Sequence, residues 1–113
     1  MRALTGQQVM VRIFFGESDK WKHQRLDTAL LERLRKEGFA GATVLRGIGG
    51  FGANSHIHTT HLLELSADLP VVIEVVDTEE HVNRLLPILD EMLDDGLVTM
   101  EKVNVLRYRP SRQ

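Results

Sequence analysis

Apolar residues recur with two different periods along this chain, and the changes of period divide it into elements. Residues 9–15 (Val-Met-Val-Arg-Ile-Phe-Phe) are apolar except for Arg12, which predicts a mostly buried first strand. A polar turn over 16–20 leads to a helix predicted over 22–37. There Leu26, Ala29, Leu30, Arg33 and Leu34 share one side at 3.6-residue spacing, Leu31 flanks them, and Gly38 supplies the stop. A second strand is predicted over 41–47. A third is predicted over 71–76, apolar on both faces except at Glu74. Between them runs a long connection marked by Asn54-Ser55 and closed by Asp68-Leu69-Pro70. Asp77 and Glu80 have the spacing of a capping box, which predicts a second helix over 78–93. Its stripe is Val82, Leu85, Leu86, Leu89, Met92 and Leu93, and Pro87 inside it predicts a kink. After the turn Asp94-Asp95-Gly96, a last strand is predicted over 97–108. Neither of its faces is cleanly apolar, which predicts one bulge.

The order strand-helix-strand-loop-strand-helix-strand is that of an α+β, ferredoxin-like sandwich. It implies a four-stranded antiparallel sheet with two helices on one face. Residues 1–113 suffice for one such domain. The far face of the sheet has no helix to cover it, and the third strand is apolar on that side too. That face is expected to pack against other subunits.

Composition narrows the classes. Fourteen Lys and Arg against sixteen Asp and Glu leave a net charge of −2, so no nucleic-acid partner is implied. The absence of cysteine removes disulfides, thiolate metal sites and a cysteine nucleophile. No apolar run approaches the ~20 residues that span a bilayer, and the N-terminus lacks a signal-peptide core. A cytoplasmic protein is the expectation.

Candidate chemistry centres on Gly47, Gly49, Gly50 and Gly52, four of nine glycines, directly after Ala42-Thr43-Val44-Leu45-Arg46. The spacing reads G-x-G-x-x-G. A dinucleotide fingerprint would open a helix and its domain. Here the next residues, 53–61, carry no apolar helical stripe, and a complete strand-helix unit already precedes the glycines. Two readings stay open: a bulge or tight bend at a strand end, and a backbone cradle for an anion.

The wider pattern resembles a known family. Gly41-Ala42-Thr43-Val44, Gly50-Phe51-Gly52, Asp68-Leu69-Pro70, Ile73-Glu74-Val75-Val76, Asp95-Gly96 and Val105-Leu106-Arg107-Tyr108-Arg109 resemble, in order and approximate spacing, the PII signal-transduction proteins. Gly16-Glu17-x-Asp19-Lys20, Arg46-Gly47-Ile48-x-Gly50-Phe51-Gly52 and Ser66-x-Asp68-Leu69-Pro70 are similar to the PII-like group catalogued as domain-of-unknown-function family 190. The resemblance implies a homotrimeric, non-enzymatic regulatory protein. Adenine-nucleotide-sized effectors would sit in intersubunit clefts, and a loop over 53–68 would contact a partner. By family association that partner would be a membrane transporter, a channel (for fluoride or another ion) or an enzyme. The implied ligand positions are Thr43, Gly50, Phe51, Gly52, Asn54, Val76, Asp95, Gly96, Arg107 and Arg109. Successive N–H groups of the glycine segment and the turn would meet phosphate oxygens, and the two arginines would add charge. No cofactor is required. Leu97 stands where PII proteins carry a lysine, and Asn54 where they carry a glutamine. A ligand with less phosphate charge than a triphosphate suits these departures better.

His56, His58 and His61 form H-x-H-x-x-H, three imidazoles able to hold Zn²⁺ or Cu²⁺. A metal-binding protein is therefore an alternative, as is a trimeric interaction module without a small ligand. Ser55, His56 and Asp68 could be drawn as a triad, but no strand-turn-helix elbow presents the serine.

Overall fold

The computed structural model describes residues 2–51 and 68–110. Its elements are β1 (Leu4–Gly16), β2 (Lys20–Trp21), β3 (Gln24–Arg25), α1 (Leu26–Lys36), β4 (Thr43–Arg46), β5 (Pro70–Asp77), α2 (Glu79–Met92) and β6 (Leu97–Tyr108). The main sheet has the order β4-β5-β1-β6 and is antiparallel throughout. This is the ferredoxin-like arrangement: each helix returns the chain to a strand two places away, and the other half of the fold fills the gap.

Alternation along the central strands decides which face is covered. Val9, Val11, Ile13 and Phe15 of β1 lie opposite Asp77, Val75, Ile73 and Val71 of β5, and all eight are buried. Onto this face α1 packs Leu26, Ala29, Leu30 and Leu34, and α2 packs Val82, Leu85, Ile88, Leu89 and Met92. Each such aliphatic side chain contributes roughly 1.5–3 kcal/mol on leaving water. The opposite face carries Met10, Phe14, Val72 and Val76 around Arg12 and Glu74, all only half-buried. Arg12 Nε donates to Glu74 Oε2 at 2.9 Å, and its NH1 also bonds Glu101 of β6. The two charged residues that interrupt otherwise apolar strands are thus partners across the sheet.

Several local expectations are corrected. Helix α1 starts at Leu26 because residues 20–25 form a small hairpin, paired Lys20 with Arg25 and Trp21 with Gln24. Its turn residues Lys22 and His23 have φ of 49° and 69°, the geometry of a tight primed turn without its customary glycine. The helix closes in a Schellman motif. Gly38 N–H donates to Arg35 O and Phe39 N–H to Leu34 O, both at 3.1 Å, which places Phe39 over the buried Leu34.

Asp77 is not the cap of α2. Thr78 is the cap, its Oγ1 accepting from His81 N–H at 3.1 Å. Asp77 is wholly buried and accepts from Arg2 NH1 (2.8 Å), Arg2 NH2 (3.0 Å), Ala40 N–H (2.8 Å) and Thr78 N–H (2.7 Å). It fastens the N-terminal segment, the α1–β4 connection and the start of α2 together. Leu86 points outward, about 100° round the helix from Leu85, and Ile88 takes its place in the stripe. Helix α2 runs on through Pro87, which removes one N–H from the helix ladder on its exposed side.

Candidate functional site

At one end of the sheet three loops converge. Gly16 lies opposite Pro70 and Phe14 opposite Leu97, which brings 47–51, 68–70 and 94–96 to the same end. Gly47 N–H donates to Pro70 O at 2.7 Å, so the glycine segment leaves β4 still pinned to β5, and Gly50 packs over the Pro70 ring. Gly96 has a φ of +124°, and a Cβ there would lie 2.6 Å from Phe14 O. Only glycine lets the 94–96 turn close against β1. Beyond these contacts Ile48 and Phe51 stand 72% and 73% exposed, a pair of large apolar groups at the rim.

The electrostatics of this end are acidic. Burial pushes the Asp19 carboxyl up from its ordinary value, a hydrogen bond from Gly16 N–H opposes the shift, and the carboxylates of Asp95, Asp68 and Asp94 add to it. Asp68 Oδ1 accepts from Ser18 N–H at 3.0 Å. Arg46 is already engaged with Glu17, Nε to Oε2 at 2.9 Å and NH2 to Oε1 at 3.0 Å. A phosphate arriving here would find glycine backbone and would need positive charge brought from elsewhere.

The two arginines singled out by the sequence lie at the other end. Tyr108 pairs with Leu4, and its hydroxyl donates to Ala40 O at 2.9 Å. The pairing shifts by one residue between Leu4 and Gly6, the extra residue falling in β6, and this is the predicted bulge. Tyr108 thus reaches the α1–β4 connection on the helix side, with Arg107 and Arg109 flanking it in the chain. Both arginines are exposed and have no ion-pair partner among the described residues. Thr43 and Val76 belong to the open face of the sheet, opposite Glu74 and Met10, between the two ends.

The expected ligand positions therefore do not converge within one chain. Gly50, Phe51, Asp95 and Gly96 gather at the loop end. Arg107 and Arg109 lie at the far end of β1, ten residue steps away along the strand, or roughly 33 Å at strand rise. Gly52, Asn54, His56, His58 and His61 lie outside the described residues. Among the described residues no three His, Cys, Asp or Glu side chains are placed to hold a metal ion. No described helix is long and apolar enough to cross a membrane. Sequence reasoning missed two features: the acidic setting of Asp19, and the Glu17–Arg46 pair behind the glycines. The signal for both was present in the motif Gly16-Glu17-x-Asp19, but the partners that give those residues meaning come from 46, 68 and 94–95.

Comparison with known proteins agrees with this architecture. The profile of the DUF190 family, described as Uncharacterized ACR, matches residues 8–105. A UPF0166 protein of Aquifex aeolicus (strain VF5) is 37% identical over 97 residues, covering 86% of this chain and 91% of its own. A UPF0166 protein of Methanocaldococcus jannaschii is 35% identical over 99 residues, with coverage of 87% and 91%. The solved structure of CPII from Thiomonas intermedia K12, bound to ADP and bicarbonate, superposes with a TM-score of 0.63 at 21% identity. That match covers 92% of this chain and 91% of CPII. From the glycine and aspartate motifs, the strand order and this profile match, the chain belongs to the DUF190 family and carries the PII-like fold.

Proposed function

We propose that the protein is a PII-like regulatory protein that assembles as a homotrimer and binds an adenine nucleotide in the clefts between its subunits. The observation that carries this reading is the division of the candidate site. The backbone cradle and the arginines sit at opposite ends of one sheet and can meet only when two chains bring opposite ends together. The open sheet face, with its half-buried Met10, Phe14, Val72 and Val76, supplies an apolar surface for that assembly. Exposed Phe51 offers a ring for a base to stack on. The fold neighbour CPII is bound to ADP and bicarbonate in one structure and to ADP, AMP and bicarbonate in another, and it is described as a nitrogen regulatory PII-like protein. The acidic loop end and Leu97 suit a mono- or diphosphate better than a triphosphate, because each added phosphate charge would face Asp19, Asp94 and Asp95. In this reading nucleotide binding acts through the 53–68 segment, which then controls a partner, and the protein catalyses nothing. Such control requires that the nucleotide bind one state of that segment more tightly than the other.

Complementation between subunits tests it. Gly96→Val disables the cradle and Arg107→Ala with Arg109→Ala disables the charge. Each variant alone is expected to lose ADP binding by calorimetry. Unfolded together and refolded as a mixture, the two are expected to regain part of it, because some clefts join an intact cradle from one chain to intact arginines from another. Failure of the mixture to bind, with both variants trimeric by sedimentation, would refute a shared cleft. For the parent, ADP at about a hundred times its dissociation constant stabilises by roughly 2.7 kcal/mol in a thermal shift.

A further inference from the structure

From the wall chemistry of a groove at the C-terminal end of α1, we infer a second ligand site, for a small carboxylate with an apolar body. The groove is partly open to solvent and offers about 760 Å³, within the range of small-molecule sites. It lies on the helix side of the sheet. Thr43 and Val76 of the proposed nucleotide cleft, by contrast, face the open side of the sheet. Its apolar lining is the buried Leu34 and Phe39 with the half-buried Leu31 and Ala42. Leu31, Leu34 and Arg35 fall on one helical face at three- and four-residue spacing, so a ligand lying on the leucines has the Arg35 guanidinium beside it. The Arg35 side chain is exposed, and its guanidinium has no hydrogen bond or ion pair among the described residues, unlike that of Arg33 on the same helix, which is held by Glu37 and Glu91. Arg2 and Tyr108 complete the wall. Arg2 is locked by Asp77 and by Gly38 O (3.0 Å), and Tyr108 by Ala40 O, so the groove is preformed.

Apolar walls beside one unneutralised guanidinium select an anionic head on a nonpolar body. A neutral body would leave Arg35 unused. A polyphosphate would have no use for the leucine face. Ala42 of the groove is followed in β4 by Thr43 of the opposite face, so an occupant would touch the strand that leads to the glycine segment.

Sodium decanoate below its micellar concentration is the probe, read by amide chemical shifts of the parent and by calorimetry. Saturable binding is expected, with the largest shifts in residues 31–42 and at Tyr108. Arg35→Glu is expected to weaken it by about tenfold or more, and 1-decanol to bind more weakly than decanoate. Leu31→Glu, which sets a carboxylate against the apolar wall, is expected to weaken it as well. Should Leu31→Glu fail to fold, Arg35→Glu carries the test alone, because Arg35 is at the surface. Three results would overturn the inference: decanoate affinity unchanged in Arg35→Glu, shifts confined to the open sheet face, or competition between ADP and decanoate for one site. Loss of ADP binding without loss of decanoate binding would bear only on the nucleotide reading.

Discussion

Replacing Asp77 by Asn keeps the shape of the side chain and removes its charge, at a position where four donors converge on two oxygens. Oδ1 receives Arg2 NH1 and Thr78 N–H, and Oδ2 receives Arg2 NH2 and Ala40 N–H. An amide has one acceptor oxygen. Whichever way Asn is placed, its NH₂ faces one guanidinium N–H and one backbone N–H, and those donors lose their acceptor in a wholly buried setting. Hydrogen bonds to a charged group are worth about 1.5–3 kcal/mol each, and a stranded buried donor costs about 1–3 kcal/mol. Arg2 is 37% exposed, so water recovers part of its share. The net expectation is a loss of about 2–3 kcal/mol, or roughly 10 °C in Tm for a chain of this size. Urea unfolding at fixed protein concentration measures it. In a double-mutant cycle with Arg2→Ala, the two residues are expected to couple by about 1–2 kcal/mol. The pH dependence has a definite sign. Burial alone would raise the Asp77 carboxyl, but the bonds from Arg2, Ala40 N–H and Thr78 N–H outweigh it and hold the carboxyl below its ordinary value of 3.8. The stabilisation is therefore complete above the unfolded-state value and is lost as pH falls through the lower folded value, so the parent's advantage over Asn shrinks below about pH 4. A loss under about 0.5 kcal/mol at pH 7, or additive effects in the cycle, would refute the clamp.

Asp19→Asn acts in the opposite direction. Its carboxyl is raised, so the ionised form is a liability that is absent below the unfolded-state pKa and complete above the folded one. The variant is expected to gain stability at pH 7 and to match the parent near pH 3, in urea titrations at both values. Gly96→Ala forces a Cβ to 2.6 Å from Phe14 O at a φ of +124°, and is expected to cost about 2 kcal/mol or more by chemical denaturation. Arg12→Ala leaves Glu74 and Glu101 facing each other across β1 without their shared guanidinium. If the open face is the subunit interface, sedimentation velocity will show a weakened assembly that high salt partly restores.

The alternation of β1 and β5 and the stripe of α2 were readable because burial on a sheet or helix face imposes its period on the residues themselves. Four strands and two helices follow from that, and so does the uncovered far face. Features that depend on a partner distant in the chain were not readable. Arg12 and Glu74 look like two separate interruptions until the β1–β5 register sets them opposite each other. Asp77 has the spacing of a cap, and only its burial against Arg2, a partner 75 residues away, shows that Thr78 does the capping instead. The hairpin at 20–25 carries no glycine at its left-handed turn, so local turn chemistry gives no warning of it. The candidate site divides in the same way. The sequence by itself determined the residue types, a glycine-rich segment and a pair of arginines, because backbone freedom and charge are properties of single residues. Where those groups stand was decided by tertiary structure alone, because strand register places the glycine segment at one end of the sheet and the arginines at the other.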